Sequence, residues 1–262
     1  MKQTPVARLF GKKKNILIGM IHLPPLLSIK GFPGMAALTQ KALSDLDALE
    51  KAGFDAVLIE NDDDKPHTEF ANAAQIASFT AVAQAVCKKA KIPVGVQMML
   101  NDWKASFSIA RSAGAKFSRL DVFVDHVTCD WCEIRPEPKK IMAFKKKIYP
   151  ELVLLTDIQV KYKKMVTPRS LTASAKIAIA NGTDGLIITG AATGQETPTE
   201  SLAEVRKSFP DFPIFVGAGA SSSNIQEQFS IATGAIVGSS IKIGNRIDLA
   251  KAKKLVNSLP KK

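Results

Sequence analysis

AGFDAVLIE (52–60), AGAKFSRLD (113–121), NGTDGLIITG (181–190) and ATGAIVGSS (232–240) repeat one pattern. Each copy sets a glycine at a helix end, follows it with a short apolar or alternating run, and leaves through polar or glycine-rich residues. The glycines fall at 53, 114, 182 and 234. A strand-plus-helix unit takes roughly 30 residues, so each interval holds two units. Repeated through 262 residues, the pattern predicts about eight units, the number that closes a (β/α)8 TIM barrel. Such barrels place their chemistry at the C-terminal ends of the strands.

Working outward, the strands read as 16–22, 56–60, 93–99, 116–121, 152–158, then GLIIT, PIFVG and AIVG. They are short and rich in Val, Ile and Leu, as strands covered on both faces are. Leu38, Ala42, Leu46 and Leu49 recur at helical spacing ahead of Gly53. Similar helices fit 72–89, 103–113, 170–181, 200–208 and 248–258. Residues 122–150 are the least regular, and a connection this long covers a site or carries its own short helix. Residues 1–14 read as a basic tail and 15–262 as one barrel domain.

The composition is that of an ordinary cytosolic globular protein, 46% apolar. No stretch reaches 18 apolar residues, so no membrane span is expected. MKQTPVARLFGKKK lacks the apolar segment of a secretory signal. It fits a cytoplasmic protein, with a very short mitochondrial presequence as the alternative. The net charge is +12, but the lysines are dispersed and only seven basic residues are Arg. No nucleic-acid motif accompanies them, so the excess reads as a solvated surface that draws anionic metabolites toward a cleft. Cys129 and Cys132 form a CxxC with only His126 close by, too few ligands for zinc. They read as incidental loop thiols, and neither metal nor cofactor is expected. The apolar GFPGMAAL (31–38) reads as a cover for the barrel or, by preference, a homo-oligomer contact.

The exits of the seventh and eighth strands carry the strongest local signal. Gly217-Ala218-Gly219-Ala220-Ser221 and Gly238-Ser239-Ser240 let backbone N–H groups approach an anion. A phosphate commonly sits between these two loops, and Lys242 adds a point charge. Polar residues at the other exits are His22, Glu60, Asn61, Asn101, Asp102, Arg119, Asp121, Asp157, Gln159 and Lys161. Alternation puts Arg119 with Asp121, and Asp157 with Gln159, toward the mouth. Such a ring holds a sugar and supplies an acid and a base. Its other reading is a neutralising network without a reaction. Thr189-Gly190-Ala191-Ala192-Thr193-Gly194 reads as a flexible ligand-contacting loop.

GMIHLPPL (19–26), AVLIEN (56–61), LND (100–102), DIQVKY (157–162), DGLIITGAATG (184–194), VGAGASSSNI (216–225) and AIVGSSIKIGNRID (235–248) resemble the BtpA family. The resemblance runs from about residue 15 to 258. It implies a TIM barrel of the ribulose-phosphate-binding kind, with one member tied to photosystem I biogenesis and others described as nucleosidase-like. It touches His22, Glu60, Asn61, Asn101, Asp102, Asp157, Lys161, Thr189, Gly217, Gly219, Gly238, Ser239 and Lys242. The chain departs from the family where Gln159, Tyr162 and Phe123 stand in place of histidines and Asp121 in place of Asn, and again over 126–138. That implies a changed substrate or a member that has lost catalysis.

The expected function is an enzyme acting on a phosphorylated sugar or nucleotide-like molecule. N-glycosidic cleavage, the version the resemblance suggests, takes Asp157 as carboxylate and His22 or Asp102 as proton donor. A sugar-phosphate isomerase or lyase, with Asp157 as base and Lys161 as its electrostatic partner, fits the same spacing. A non-catalytic assembly or stability factor is the remaining alternative.

Overall fold

The computed structural model describes residues 3–12 and 14–260; residues 1–2, 13 and 261–262, parts of the expected tail and barrel domain, lie outside it. Eight parallel strands close on themselves: β1 (Ile16–His22), β2 (Ala56–Glu60), β3 (Val94–Gln97), β4 (Phe117–Leu120), β7 (Val153–Asp157), β9 (Gly185–Ile188), β10 (Ile214–Val216) and β11 (Gly234–Val237). The chain is a TIM barrel, and β11 returns to pair with β1 from Ile16–Gly234 to Gly19–Val237.

Helices α2 (Met35–Ala52), α3 (Ala73–Lys89), α4 (Trp103–Ala113), α5 (Pro138–Ile148), α6 (Leu171–Ala180), α7 (Thr199–Ser208), α8 (Ile225–Ile231) and α9 (Leu249–Asn257) follow the strands. Their boundaries have local causes. Asn72 and Gln75 form a reciprocal capping box on α3. Gly53 ends α2 at φ +93° and Gly114 ends α4 at φ +85°, a conformation in which a side chain is strained. The segment 31–38 covers the barrel: Leu38 is buried, and Phe32 and Met35 pack on the helix–strand core. Pro33, Ala36 and Ala37 in the same segment are exposed.

The barrel interior explains a glycine pattern inside the strands. Ile16, Ile18, Ala56, Leu58, Phe117, Val153, Leu155, Ile187 and Phe215 fill the lower layers. A Cβ on Gly95 would lie 2.3 Å from the Phe117 ring, and one on Gly234 would lie 2.7 Å from Phe215. Large rings thus fill the room that neighbouring strands leave.

The N-terminal stretch is not a free tail. Residues Pro5–Phe10 form a helix, α1, capped by Thr4. Val6 is buried, and Phe10 meets Phe117 and Phe215 at centroid distances of 5.7 and 6.4 Å. Those two rings would otherwise meet water at the barrel's lower end, so apolar burial draws the segment in.

At the opposite end, the irregular stretch after β4 holds a hairpin, β5 (Val127–Thr128) and β6 (Glu133–Ile134), ahead of α5. β8 (Lys164–Met165), in the loop after β7, pairs with β5 to make a small three-stranded sheet. Leu100, Val122, Val127, Ile134 and Val160 form its own apolar cluster. A second, two-stranded ribbon joins β12 (Lys242–Ile243) to β13 (Arg246–Ile247).

Gly95→Ala is expected to lower stability by about 1–3 kcal/mol through overpacking against Phe117. Urea unfolding checks this. An unchanged midpoint would show that the interior is looser than its contacts indicate.

Candidate functional site

The period of two along each strand builds the site. Ile16, Ile18 and Met20 point inward on β1, so His22 follows them at the top. Ala56 and Leu58 bring Glu60 inward on β2, Phe117 brings Arg119 on β4, and Val153 and Leu155 bring Asp157 on β7. His22 lies opposite Glu60, and Glu60 opposite Gln97, in the strand register. Apolar layers thus give way to one polar layer beneath the mouth.

Arg119 and Asp157 dominate that layer. Arg119 Nε donates to Asp157 Oδ2 at 2.7 Å and Nη2 to Oδ1 at 2.9 Å. Burial pushes the Asp157 carboxyl up, but both oxygens accept from the guanidinium, the bonding pattern of a carboxylate. Asp157 was expected to face the mouth as the catalytic carboxylate. Instead it lies behind Arg119 with both oxygens occupied, and it positions that guanidinium.

Asp121 is tied as well. It accepts from Gln97 at 2.7 Å and from Lys163 at 2.7 Å. Burial acts to raise it, but Lys163 and Arg119 outweigh burial and hold it at about 2. Glu60 has no such partner. Burial, reinforced by Asp62, pushes its carboxyl up to about 7. His22 Nε2 lies 3.5 Å from Glu60, and its Nδ1 lies 3.7 Å from Asp62. Burial and the ammonium groups of Lys242 and Lys41 lower the His22 pKa well below its usual value, so its imidazole is neutral. Glu60 is thus the carboxyl in this layer whose pKa burial brings close to neutral pH.

Above the layer opens a cavity of about 860 Å³. His22, Glu60, Arg119, Asp121 and Lys161 line it on one side. Gly217, Gly219, Ser221, Gly238, Ser239 and Ser240 line it on the other. The Nζ of Lys161 takes no hydrogen bond or ion pair among the described residues, while its backbone N–H donates to Thr189 Oγ1 at 3.0 Å. Ser239 and Ser240 open a short 3₁₀ turn, whose first N–H groups have no partner within the turn. Ser240 Oγ donates to Ala220 O at 2.7 Å, which joins the two glycine-rich exits.

The glycines also serve packing. A Cβ on Gly219, which sits at φ +71°, would lie 2.3 Å from Gln195 O. One on Gly190 would lie 2.5 Å from Glu196 O. Gly190 lets the loop after β9 fold back on itself, Gly219 lets that loop lie against the neighbouring exit, and Thr193, Gly194 and Glu196 reach the cavity. Gly238 differs, because its Cβ would have ordinary contacts of 3.5 Å with Met20. A Cβ would therefore fit there without overlap, against Met20 and His22.

Several expected ligand residues are spent on the scaffold. Asp102 caps α4 by accepting from Ala105 N, and its other oxygen accepts from Ala71 N, so it is not a proton donor to a ligand. Asn101 exchanges two hydrogen bonds with the Val122 backbone. Asn61 accepts from Met99 N and donates to Asp64. Gln159 sits at φ +48°, where the chain turns after β7, and its amide donates to Arg169 O and Ser174. Strand alternation does not extend through such a turn. Lys242 lies outside the main cavity and lines a smaller pocket of about 260 Å³ with His22, Asp62 and Ser239. Its Nζ is buried without a hydrogen-bond partner, and burial with Lys41 nearby pushes its pKa down to about 8.

Gln97, two places after inward Gly95, does not reach the cavity but holds Asp121 from behind it. Other cavity residues were not anticipated. Lys163, Tyr162, His67 and Trp131 come from turns and the hairpin, where no period points to the mouth. Trp131 meets His67 edge-on at 5.2 Å. His126 does not join the cysteines in a ligand set; its Nε2 pairs with Glu133 at 2.8 Å. Among the described residues, no three His, Cys, Asp or Glu side chains gather as for a metal, and no helix is long and apolar enough to cross a membrane.

The architecture recurs in solved structures. That of N-(5'-phosphoribosyl)anthranilate isomerase from Pyrococcus furiosus matches 93% of this chain and 98% of its own with a TM-score of 0.61, at 12% identity. That likeness carries the fold alone. The chain belongs to the BtpA family, which it matches over residues 13–261. An uncharacterised protein of Methanocaldococcus jannaschii is 33% identical over 252 residues, covering 94% of this chain and 95% of its own. The photosystem I biogenesis protein BtpA of Synechocystis is 28% identical over 239 residues, covering 90% and 83%.

Asp157→Asn is expected to cost about 3–5 kcal/mol, because it strands the buried Arg119 charge. Replacing the pair together, as Arg119→Met with Asp157→Leu, is expected to recover much of that loss. Thermal and urea unfolding of both variants measure it. A single variant as stable as the parent would remove the pair from its structural role.

Proposed function

We propose that this protein is an enzyme acting on a phosphorylated sugar or nucleotide-like small molecule, with Glu60 as its proton-transfer group. The observation that carries this reading is one cavity that joins an unpaired, near-neutral carboxyl to two glycine-serine exits. The phosphate would sit against the exits after β10 and β11, held by backbone N–H groups. The fold neighbour named above, an isomerase of a phosphoribosyl compound, is consistent with that ligand class.

The charges around Glu60 favour one kind of chemistry. Lys161 and Arg119 are cations beside it, and both contribute to its titration. A cationic wall stabilises negative charge on a substrate oxygen and opposes an oxocarbenium ion. N-glycosidic cleavage also loses its expected carboxylate, since Asp157 is held by Arg119. The isomerase or lyase version loses Asp157 as its base in the same way, but it keeps Lys161, and Glu60 can take the place of the base. Glu60 as carboxylate takes a proton from carbon next to a carbonyl and, as the acid, returns one. Lys161 faces the oxygen that gains negative charge. Neutral His22 exchanges hydrogen bonds with a hydroxyl.

Calorimetry with ribose 5-phosphate and nucleoside monophosphates tests the reading. Submillimolar binding is expected for at least one of them. Gly238→Asp, which adds a carboxylate to the cavity wall where a Cβ fits without overlap, is expected to weaken that binding at least about tenfold, equivalent to about 1.4 kcal/mol. Glu60→Gln is expected to retain binding and to lower turnover of any substrate the parent accepts by at least about a hundredfold. If the parent binds none of these compounds, the assembly-factor reading replaces this one, in line with the Synechocystis relative, a photosystem I biogenesis protein.

A further inference from the structure

Cys129 and Cys132 are the last facing pair of the β5–β6 hairpin. Cys129 N donates to Cys132 O at 2.9 Å, and a two-residue turn, Asp130-Trp131, joins them. Their sulfurs lie 4.0 Å apart. Facing residues on paired strands hold their Cβ atoms about 4.5–5.5 Å apart, against about 3.5–4.5 Å in a disulfide. A small tightening of the turn therefore brings the two thiols within bonding reach. The position is also functional. Cys129, Asp130 and Trp131 all line the main cavity, and the hairpin is held to the barrel by its pairing with β8 and by its small apolar cluster.

The geometry points to a redox modification site: Cys129 and Cys132 form a reversible disulfide that repositions Trp131 at the mouth of the cavity. The third cysteine, Cys87, packs against the helix–strand core, away from the mouth. Cys129, the sulfur on the cavity wall, meets an oxidant arriving from solvent. With a peroxide as oxidant, Cys129 as thiolate attacks one peroxide oxygen, and the O–O bond breaks. Cys129 becomes a sulfenic acid and one water leaves. Cys132 then loses its proton and attacks the Cys129 sulfur; the S–O bond breaks and the hydroxyl leaves as a second water. The two thiols have given two electrons to the peroxide. Burial and the neighbouring sulfur push the Cys132 thiol up to about 11, which suits a resolving thiol that keeps its proton until Cys129 is oxidised.

Two consequences follow from the turn between the sulfurs. Tightening it shifts the Trp131 ring from its edge-on contact with His67. A ligand that touches the hairpin in its reduced form resists that shift, so by linkage the disulfide weakens the ligand.

The test uses the full chain, reduced and then exposed to hydrogen peroxide. The expected product is a monomer with a Cys129–Cys132 bridge by peptide mapping, Cys87 still a thiol, and full reversal by dithiothreitol. Trp131 emission, read in a Trp103→Phe background, is expected to change with the bridge and to stay constant in Cys129→Ser and Cys132→Ser. Where ribose 5-phosphate binds the reduced chain, oxidation is expected to weaken it about fivefold or more, the low end of measured couplings. If it binds neither form, the phosphorylated-ligand reading suffers, while the bridge and the Trp131 emission still decide this one. Sulfinic acid without a bridge, dimers linked between chains, or a bridge that leaves Trp131 emission unchanged would overturn it.

Discussion

A charge inside a barrel must be neutralised where it stands, and the Arg119–Asp157 pair meets that constraint for this protein. Removing either charge from water is costly, and a bidentate geometry offsets the cost only while both partners are present. The pair therefore fixes the height at which apolar packing stops. Below it lie Phe117, Leu155 and their neighbours; above it lies the cavity. It also sorts the acids. Asp157 is consumed by Arg119, and Asp121 by Lys163 and Gln97, which leaves Glu60, beside neutral His22, as the carboxyl of this layer with no Lys or Arg in contact. The proposed chemistry depends on that sorting more than on the number of acids at the mouth.

The opposite wall is governed by close approach. Gly219 lets the loop after β9 lie against the exit of β10, Gly190 lets that loop fold on itself, and Ser240 ties the β10 exit to the next. These contacts would hold the backbone N–H groups in place before any ligand arrives, which is how such a cradle keeps its reorganisation small. At Gly238, by contrast, a Cβ would meet its neighbours only at ordinary contact distances. The two uses of glycine are indistinguishable in the sequence, because both read as a glycine at a strand exit.

The barrel was legible because its signals are periodic. Glycines 53, 114, 182 and 234 mark helix ends or strand starts, and the strands lie where the apolar runs put them. The inward ring was legible for the same reason: alternation brings His22, Glu60 and Arg119 to the cavity. What the sequence hid is pairing. Nothing local to Asp157 says that Arg119, 38 residues away, closes on both its oxygens. Asp102 and Asn101 follow a strand like site residues, yet a helix cap and a backbone bridge absorb them. Gln159 was misplaced because the chain leaves the extended conformation there, and Lys163 and Trp131 were missed because turns carry them in. The helix at Pro5–Phe10 was hidden by its lysine-rich surroundings, although Val6, Leu9 and Phe10 supply its apolar face.

The central claim is that burial poises Glu60 for proton transfer. A carbon-13 titration of glutamate carboxyls, with Glu60 assigned by its loss in Glu60→Gln, measures this directly. The account predicts a midpoint near 7. Because the folded value is raised, the parent also loses stability relative to that variant as pH rises from about 4.5 toward 7. A midpoint near the ordinary 4.5 of a solvated glutamate would mean that the carboxyl is already ionised at neutral pH, and the account would be contradicted.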